Sequence, residues 1–424
     1  MDRARAGERA SARTARIGAG LSTVAQGRLA AETALDQAQA GLGGAKTDLL
    51  ALFISPQFED ELAEIVDLAC ERAEDAVIVG CSAGGVIGGR AEVEDAPAIA
   101  VWAAALPGAD VDPFRLTFHQ DGEHGIIDGF EEPPTRESGA VVVMLSDPYS
   151  FPADLFLAHL NETAPGVPVL GGQASGGLEA GRNFLVSGGE ILRDGAVGVV
   201  LTRGPAVSWL VSQGCRPLGE TYAVTRAERN VIFELAGVPA LRRLEEAYAG
   251  ASPREQLLMR RGLHIGQAMT ELKPELGRGD FLIRNVMGID PATGAIVISD
   301  MVEVGQTVQF QVRDAESARE DLRLMLARER ERDERPVVGA LLFSCNGRGE
   351  ALFGTKHHDI GAVQAAFGPV PVAGFFANGE LGPVAGRNFV HGFTASLLVL
   401  RESAEGRLLS EADPAARARS PGAG

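Results

Sequence analysis

Side chains that could bind a small charged ligand are concentrated in one glycine-rich stretch, residues 369–396. A short apolar segment there leads into a turn that carries a series of polar residues, namely Asn378, Glu380, Arg387, Asn388 and His391. A guanidinium can hold a carboxylate or a phosphate through two parallel N–H groups. Functional side chains are often carried by loops that a rigid scaffold positions. We therefore predict that these five residues line a ligand-binding pocket.

A second polar loop, Phe343–Gly349, follows another apolar segment and contains Asn346 and Arg348. Two interpretations of this loop remain open. In the first, both side chains orient a carboxylate or phosphate group of a ligand. In the second, Asn346 serves the turn and Arg348 pairs with an internal carboxylate. We include both residues among the predicted ligand contacts.

Ser82 lies within Gly80–Gly84, which matches the G-x-S-x-G pattern of a nucleophile elbow. Such an elbow requires a helix directly after the serine, whereas the glycine-rich segment 84–89 is poor helix-forming material. The pattern therefore favours a glycine turn whose hydroxyl bonds to the backbone. We count Ser82 and Gly84 as ligand contacts, and an enzyme with Ser82 or Cys345 as its nucleophile is an alternative.

The four cysteines show no metal-binding spacing and are sparse, as in proteins of the reducing cytosol. Cys81 and Cys345 both follow predicted strands, so either thiol could be activated by a basic neighbour. Arg348 could be that neighbour for Cys345. Buried and unreactive thiols are nevertheless the favoured interpretation.

Two short segments contain several metal-capable side chains, His357–Asp359 and the loop His119–His124. Neither reproduces the spacing of a known set of metal ligands. Asp359 is better explained by the start of a helix, where a carboxylate interacts favourably with the helix dipole. The His119 loop is better explained by a solvated turn. We expect no metal and no other cofactor.

One pattern of strand, helix, strand, glycine-rich loop and strand occurs three times in the sequence. The strands on either side of the helix begin 28 residues apart in the first copy (76 − 48), 27 in the second (167 − 140) and 31 in the third (370 − 339). Val167–Phe184 and Val370–Phe389 also share V-P-V, a following glycine and the ending A-G-R-N-F. We infer that the chain arose by internal duplication.

These units predict an α/β protein of mixed α+β character, in which repeated strand-helix-strand-glycine-loop-strand units form mixed sheets flanked by helices. Such a unit places its two strands parallel through a right-handed crossover. The glycine loops then follow the carboxyl ends of the strands, where α/β sheets usually bind ligands. Residues 184–187 and 196–201 are expected to pair as a hairpin.

The third copy begins 199 residues after the second (339 − 140), about twice the 92 residues that separate the first two (140 − 48). A degenerate fourth copy could therefore lie between Pro239 and Asp314. A charged amphipathic helix is predicted from Asp314 to about Asp333, with Asp314 as its N-cap. Another helix, which packs on the first domain, is predicted from Ile17 to about Leu42.

The composition of the chain excludes several classes of function. The 424 residues carry a formal charge of −18, and such an acidic surface is unsuited to nucleic acids or anionic membranes. No apolar run reaches about 18 residues, so no transmembrane helix is predicted. The N-terminus has arginines but lacks the apolar region of a secretory signal. We expect a cytoplasmic protein.

Three long segments resemble the FIST family, which is named for F-box and intracellular signal transduction proteins: Leu49–Gly89, Gly339–Gly354 and Gly374–Ser396. The resemblance spans about residues 45–400. It implies a sensory domain that binds small ligands such as amino acids. Eukaryotic members are joined to an F-box and bacterial ones to kinase, cyclase or chemotaxis modules, whereas this chain resembles a stand-alone form. Ala377 stands where the family often has a cysteine, which argues against thiol catalysis in that loop.

The predicted organisation is a flexible tail (1–16), an N-terminal helix (17–44), a FIST N-terminal domain (45–237), a FIST C-terminal domain (238–401) and a second flexible tail (402–424). The leading functional prediction is a sensor that binds an amino acid or a related metabolite, with Arg gripping the acidic group and Glu the amine. A separate signalling protein would be its partner. Two alternatives remain open, a hydrolase-like enzyme and a protein-interaction adaptor of the kind that the F-box relatives suggest.

Overall fold

The computed structural model describes residues 14–122, 124–130, 134–270, 276–277 and 279–402. Within them the chain forms eight α-helices and four sheets, so the predicted mixed α/β class is confirmed. The chain divides into two compact units. The first contains the described residues up to Val211, then Met325–Val390, and those from Ala395 onward. The second contains Ser212–Leu324 and His391–Thr394.

The first unit begins with two copies of one arrangement. The first copy contains β1 (Arg16–Ser22), α1 (Gly27–Gly41), β2 (Leu49–Ile54), α2 (Leu62–Arg72, after a 3₁₀ turn over Pro56–Glu61), β3 (Val77–Ser82), β4 (Gly85–Gly88), β5 (Ala91–Glu94) and β6 (Ile99–Ala105). The second copy contains β7 (Ala109–Asp121), β8 (His124–Asp128), β9 (Val141–Ser146), α3 (Ala153–Thr163), β10 (Val169–Gln173), β11 (Leu185–Ser187), β12 (Glu190–Leu192) and β13 (Ala196–Arg203).

The third copy is interrupted after its first strand by a long insertion. That strand is β14 (Ala206–Gln213), and the inserted elements are β15 (Cys215–Glu228), β16 (Val231–Leu235), β17 (Val238–Pro239), α4 (Ala240–Gly250), α5 (Pro253–Arg261), β18 (Leu263–Ala268), β19 (Phe281–Asp290), β20 (Ala295–Ile298), β21 (Thr307–Arg313) and α6 (Ala315–Arg332). The copy then resumes with β22 (Val337–Cys345), α7 (Gly349–Phe353), α8 (His358–Phe367), β23 (Val372–Ala377), β24 (Glu380–Val384), β25 (Arg387–His391) and β26 (Thr394–Arg401).

The three sheets of the first unit have the same strand order, because each copy donates its hairpin to the sheet of another copy. The orders are β1-β6-β2-β3-β11-β12, β7-β13-β9-β10-β24-β25 (extended by β8 beside β7) and β14-β26-β22-β23-β4-β5. The central strand pair of each sheet is parallel. The strands on both sides of that pair run antiparallel to it. The exchange is cyclic, so each sheet needs two copies to be complete.

Three equivalent glycines fix the spacing of the parallel pairs. Gly80, Gly171 and Gly374 lie opposite Leu52, Met144 and Leu342 on the neighbouring strand. A Cβ atom at these glycines would lie 2.6, 1.8 and 1.7 Å from the carbonyl oxygen of that opposite residue. Only glycine permits so close an approach of two backbones. The glycine that the sequence repeats after each apolar segment is therefore a packing requirement, which supports the inferred duplication.

The inner faces of the three sheets share one apolar core. The ring centroid of Phe375 lies 5.2 Å from that of Phe53, which belongs to the first sheet, and 5.8 Å from that of Phe343 on the adjacent strand. Helices α1 and α2 cover the outer face of the first sheet, and α3 covers that of the second. The parallel strands are buried on both faces, as their continuous apolar sequences predict.

The second unit is an antiparallel sheet of order β15-β21-β18-β19-β20-β16-β17. It contains no parallel strand pair among the described residues, so the predicted fourth copy is wrong, and the insertion accounts for the long spacing before the third copy. The charged helix predicted from Asp314 is confirmed as α6. The side chain of Asp314 accepts a hydrogen bond from the Ser317 hydroxyl at 2.6 Å.

Three further expectations are corrected by the strand pairing. Arg16–Ser22 is a strand and not part of a helix, and its glycines allow the α1 backbone to lie directly on it, since a Cβ at Gly18 would be 1.7 Å from the Ala38 oxygen. β11 pairs with β12, whereas β13 belongs to another sheet. The two A-G-R-N-F segments are not equivalent, because one precedes β11 and the other begins in the turn between β24 and β25. The predicted tails fall almost wholly outside the described residues.

A pair of glycine substitutions in the third copy tests this packing. Gly374→Ala should lower the free energy of unfolding by about 3 kcal/mol or more, since a methyl group forced against a backbone carbonyl costs at least as much as ordinary overpacking. Gly361→Ala, in the exposed middle of α8 with open space around it, should raise stability by up to about 1 kcal/mol. Urea unfolding of both variants measures the difference, and equal effects would contradict the close approach.

Candidate functional site

The three glycine loops meet at the carboxyl ends of the parallel strands. The backbone N–H of Ser175 donates to the Ser82 oxygen at 3.1 Å, and that of Asn378 donates to the Gln173 oxygen at 3.0 Å. The N–H of Asn346 donates to the Ala377 oxygen at 2.9 Å within the third sheet. These bonds bring loops that are far apart in sequence together at one end of the first unit, where α/β sheets usually bind ligands.

Ser82 has a structural role at this end. Its hydroxyl donates to Asn183 Oδ1 at 3.0 Å and accepts the N–H of Phe184 at 3.1 Å. Asn183 in turn donates to Asp147 Oδ1 at 3.0 Å. Among the described residues neither bonding partner of Ser82 is a base, and strand β4 follows the serine where a nucleophile elbow needs a helix. Burial raises the pKa of the neighbouring Cys81 thiol well above its ordinary value, so that thiol is also unsuited to attack.

Exposed polar groups form a rim around the joined loops. Gly84, Asn346 and Asn378 are exposed, and Gln173 is half-buried. Ser175 lies beneath this rim, where its hydroxyl accepts the N–H of Gly84 at 3.0 Å and donates to the Phe376 oxygen. The rim therefore offers amide groups and backbone atoms to a ligand from a rigid base.

Arg348 and Asp359 form a completely buried ion pair below the rim of the third copy. Nε and Nη2 of Arg348 lie 2.7 and 2.8 Å from the two carboxylate oxygens of Asp359. The Ser344 hydroxyl and His358 Nδ1 approach the same carboxylate at 2.7 and 2.9 Å. Nη1 of Arg348 has no hydrogen-bond partner among the residues that the structure describes. The internal carboxylate of the second interpretation is thus present, and one nitrogen of the guanidinium remains for another acceptor.

The charges in this cluster stabilise one another. Burial alone would raise the pKa of Asp359, but Arg348 outweighs it and holds that pKa far below its usual range. Burial alone would lower the pKa of Arg348, yet Asp359, aided by Cys345 and Glu380, raises it above its ordinary value. Both groups are therefore charged throughout the physiological range. A buried guanidinium of this kind is suited to recognising a carboxylate or phosphate.

A short turn holds Arg348 in place. The Arg348 N–H donates to the Cys345 oxygen at 2.8 Å, and the Gly347 N–H donates to Cys345 Sγ at 3.4 Å. Gly349 has φ +70°, and a Cβ there would lie 2.2 Å from Glu94 Oε2, so only glycine fits. Helix α8 begins at His358, as predicted, and its first turn presents Asp359 to the guanidinium.

The structure brings some of the predicted ligand residues together and separates others. Asn346, Asn378 and Arg348 share the third copy's strand ends, and Glu380 is buried on β24 opposite Gly172. Arg387 and Asn388 lie at the opposite end of β24, where the Asn388 side chain accepts the Val169 N–H at 2.8 Å and donates to the Val167 oxygen at 2.8 Å. Asn388 therefore holds β25 in place, and a ligand role for it and for the exposed Arg387 stays a prediction that this geometry does not support.

His391 is buried at the end of β25 and belongs to the second compact unit, so it is not grouped with the strand-end residues. We predict that the segments His357–Asp359 and His119–His124 bind no metal, and the fold does not test this prediction. No group of three or more metal-binding side chains occurs among the described residues. His119 faces Asp128 at 3.3 Å, and Glu123 of the same loop lies outside the described residues.

Two family domains account for most of the sequence. Residues 48–238 match the FIST N domain and residues 240–383 match the FIST C domain. The chain belongs to the FIST family. FIST domains are in general sensory domains of signal-transduction proteins. The boundary between the two matches does not follow the compact units, because the insertion is divided between the two matches and the FIST C match also includes much of the third copy.

Similar proteins occur in mycobacteria. An uncharacterized protein of Mycobacterium tuberculosis (strain CDC 1551 / Oshkosh) is 46% identical over 382 residues, which cover 90% of this chain and 98% of that protein. An uncharacterized protein of Mycobacterium bovis (strain ATCC BAA-935 / AF2122/97) is 42% identical over 392 residues, 92% of this chain and all of that protein. Among the described residues, the helices are all too short or too polar to cross a bilayer.

Several residues of the strand-end cluster are missed by the sequence argument. The sequence predicts Asp359 as the start of a helix and not as the partner of Arg348, although the two residues are only eleven positions apart in one strand-helix unit. It predicts Gln173 only as part of a glycine loop. The sequence around Glu92 gives no indication of its contact with α8, because only the exchange of the hairpin brings the two together.

The ion pair should dominate the stability of the third copy. Asp359→Asn leaves a buried guanidinium without its counter-charge, and breaking a buried pair in this way costs about 3–5 kcal/mol. Asp110→Asn removes an exposed partner of Arg203 and should change the free energy of unfolding very little. Denaturant unfolding at pH 7 compares the two, and a mild effect of Asp359→Asn would argue against a buried charged pair.

Proposed function

We propose that this chain is a cytoplasmic sensor that binds a small metabolite with a carboxylate group, of the amino-acid class, at the strand ends of the third copy. Arg348 would hold the carboxylate, and Glu380 would receive the amine. Asn346 and Asn378 would contact the ligand from the rim, and Ser82 and Gly84 would support the adjoining loops. A separate signalling protein would read the bound state.

The observation that carries this proposal is that Arg348 is fully buried and that one nitrogen of its guanidinium lacks a hydrogen-bond acceptor among the described residues. A guanidinium with no exposed surface is costly to bury, and two of its nitrogens are satisfied by Asp359 while Nη1 is not. An unsatisfied buried donor costs about 1–3 kcal/mol, so an acceptor that reached it would gain that energy back. The four free thiols and the sensory character of FIST domains are consistent with this proposal.

Entry of the ligand requires movement of the turn 346–349, because Arg348 is covered in the present state. Asn346 is exposed, Gly347 is half-buried, and the two glycines on either side of Arg348 give the turn its freedom. Binding would then change the conformation of a turn on the protein surface. A sensor needs such a change, since a ligand shifts an equilibrium only by binding one state better than the other.

A thermal-shift screen of amino acids and related carboxylates tests the proposal. A ligand present at about 100 times its Kd should stabilise the folded protein by about 2.7 kcal/mol, which appears as a raised Tm. Arg348→Lys keeps the charge but loses the planar fork, and it should weaken binding about 10- to 100-fold, the value of one or two charged hydrogen bonds.

Two further variants control this experiment. Asn378→Ala changes an exposed rim residue without touching the buried pair, so it should weaken binding while the protein keeps its stability. Arg387→Ala removes an exposed arginine at the far end of β24 and should leave binding unchanged. A ligand whose affinity is lost in Arg387→Ala but kept in Arg348→Lys and Asn378→Ala would refute this site.

A further inference from the structure

A buried carboxylate of the exchanged hairpin of the first copy binds the start of helix α8 of the third copy, and Gln364 of α8 also donates to the Gly89 oxygen in the turn of that hairpin at 2.9 Å. Glu92 lies on β5, and its Oε1 accepts the N–H of Ile360 in the first turn of α8 at 2.8 Å. The Glu92 N–H donates to His357 Nδ1 at 2.9 Å. Both bonds cross between copies whose sequences are about 265 residues apart. Glu92 therefore ties the first turn of α8 to the exchanged hairpin, while Asp359 of the same turn bonds to Ser344 and Arg348.

Glu92 also lies beside the buried ion pair. Asp359, the next residue before Ile360, is a second buried carboxylate, and Arg348 is the buried cation that serves it. Glu92 Oε2 has no hydrogen-bond partner among the described residues. The arrangement thus places two buried carboxylates close together, and Asp359 is the one that pairs with the guanidinium. Two like charges in such a buried position cannot both ionise without cost.

We propose that Glu92 is a protonation-controlled latch between the hairpin β4–β5 and helix α8. With Glu92 neutral, Asp359 carries the one charge of this carboxylate pair and the latch is closed. When Glu92 loses its proton, two buried negative charges repel each other and the first turn of α8 loosens. Because Asp359 belongs to that turn, opening also draws it away from Arg348. The consequence for ligand access rests on the proposed function, whereas the latch itself does not.

The titratable and charged groups around Glu92 come from three elements. Glu94 on the same strand and Asp359 and His357 at the start of α8 act on Glu92 directly. The others act through these: Arg348 and His358 contact Asp359, and Glu350, which pairs with Lys356, contacts Glu94. Burial, together with the charge of Asp359, raises the pKa of Glu92 to about 7, although the N–H groups of Ile360 and Asp359 oppose this shift. The closed state holds the proton more tightly than an open one, so its stability is complete below the ordinary pKa of 4.5 and is lost as the pH rises through about 7.

Hydrogen exchange of the full-length protein measures the latch directly. From pH 5.5 to pH 8, after correction for intrinsic exchange, the opening constant at Ile360 and its neighbours in α8 should rise about 30-fold, the value for one proton with these two pKa values. The equivalent helix α3 of the second copy should show no such rise. If the opening constants of α8 and α3 changed with pH in the same way, the wild-type protein alone would refute the latch.

Glu92→Gln provides the second comparison. The amide keeps the oxygen that accepts the Ile360 N–H and cannot ionise, so α8 should stay closed across the range. The bond from the residue-92 N–H to His357 Nδ1 is a backbone bond, so it is present in both proteins and cancels in the comparison. Equal pH dependence in Glu92→Gln and the wild type would assign the opening to another group. Neither measurement uses a ligand, so failure of the proposed sensor function and failure of the latch are distinguishable.

Discussion

The fold depends on the exchange of hairpins between the three copies. The strand pair that each copy forms around its helix leaves an open edge, and that edge is filled by a hairpin from another copy: β4 on β23, β11 on β3 and β24 on β10. An open strand edge is a site for unwanted association, so an isolated copy would be incomplete. The copies also depend on one another for their apolar core, in which Phe53 of the first copy packs on Phe343 and Phe375 of the third.

The same exchange determines where polar chemistry can occur. It draws the three glycine loops to one end, where Ser82, Asn183 and Asp147 join two copies through neutral and charged hydrogen bonds. The third copy has the buried ion pair of Arg348 and Asp359 at its strand ends. The polar side chains at the strand ends thus differ between the duplicated copies, although the copies share one strand order. One end holds the copies together and, at the third copy, contains a buried charged pair.

Local sequence patterns predicted the elements well and their partners poorly. Continuous apolar runs and repeated glycines identified the parallel strand pairs, because Gly80, Gly171 and Gly374 meet the same steric need. The Asp314 cap likewise identified α6. The repeated A-G-R-N-F sequence was a poor guide to structure, because the two identical segments occupy different positions in their hairpins. Arg348 could be selected as a candidate from its glycine loop, but Asp359 and Glu92 come to it through a helix and an exchanged hairpin, which no short-range pattern contains.

The insertion between β14 and β22 also affects how the chain is completed during synthesis. Gly88 of β4 pairs with Ala373 of β23, 285 residues later (373 − 88). At roughly 5–20 residues per second, the ribosome needs about 15 s to one minute to deliver that partner. During this interval the first hairpin has no sheet to join, while the inserted antiparallel sheet is already complete in sequence. A hairpin made early in synthesis is therefore among the last elements to find its partner strand.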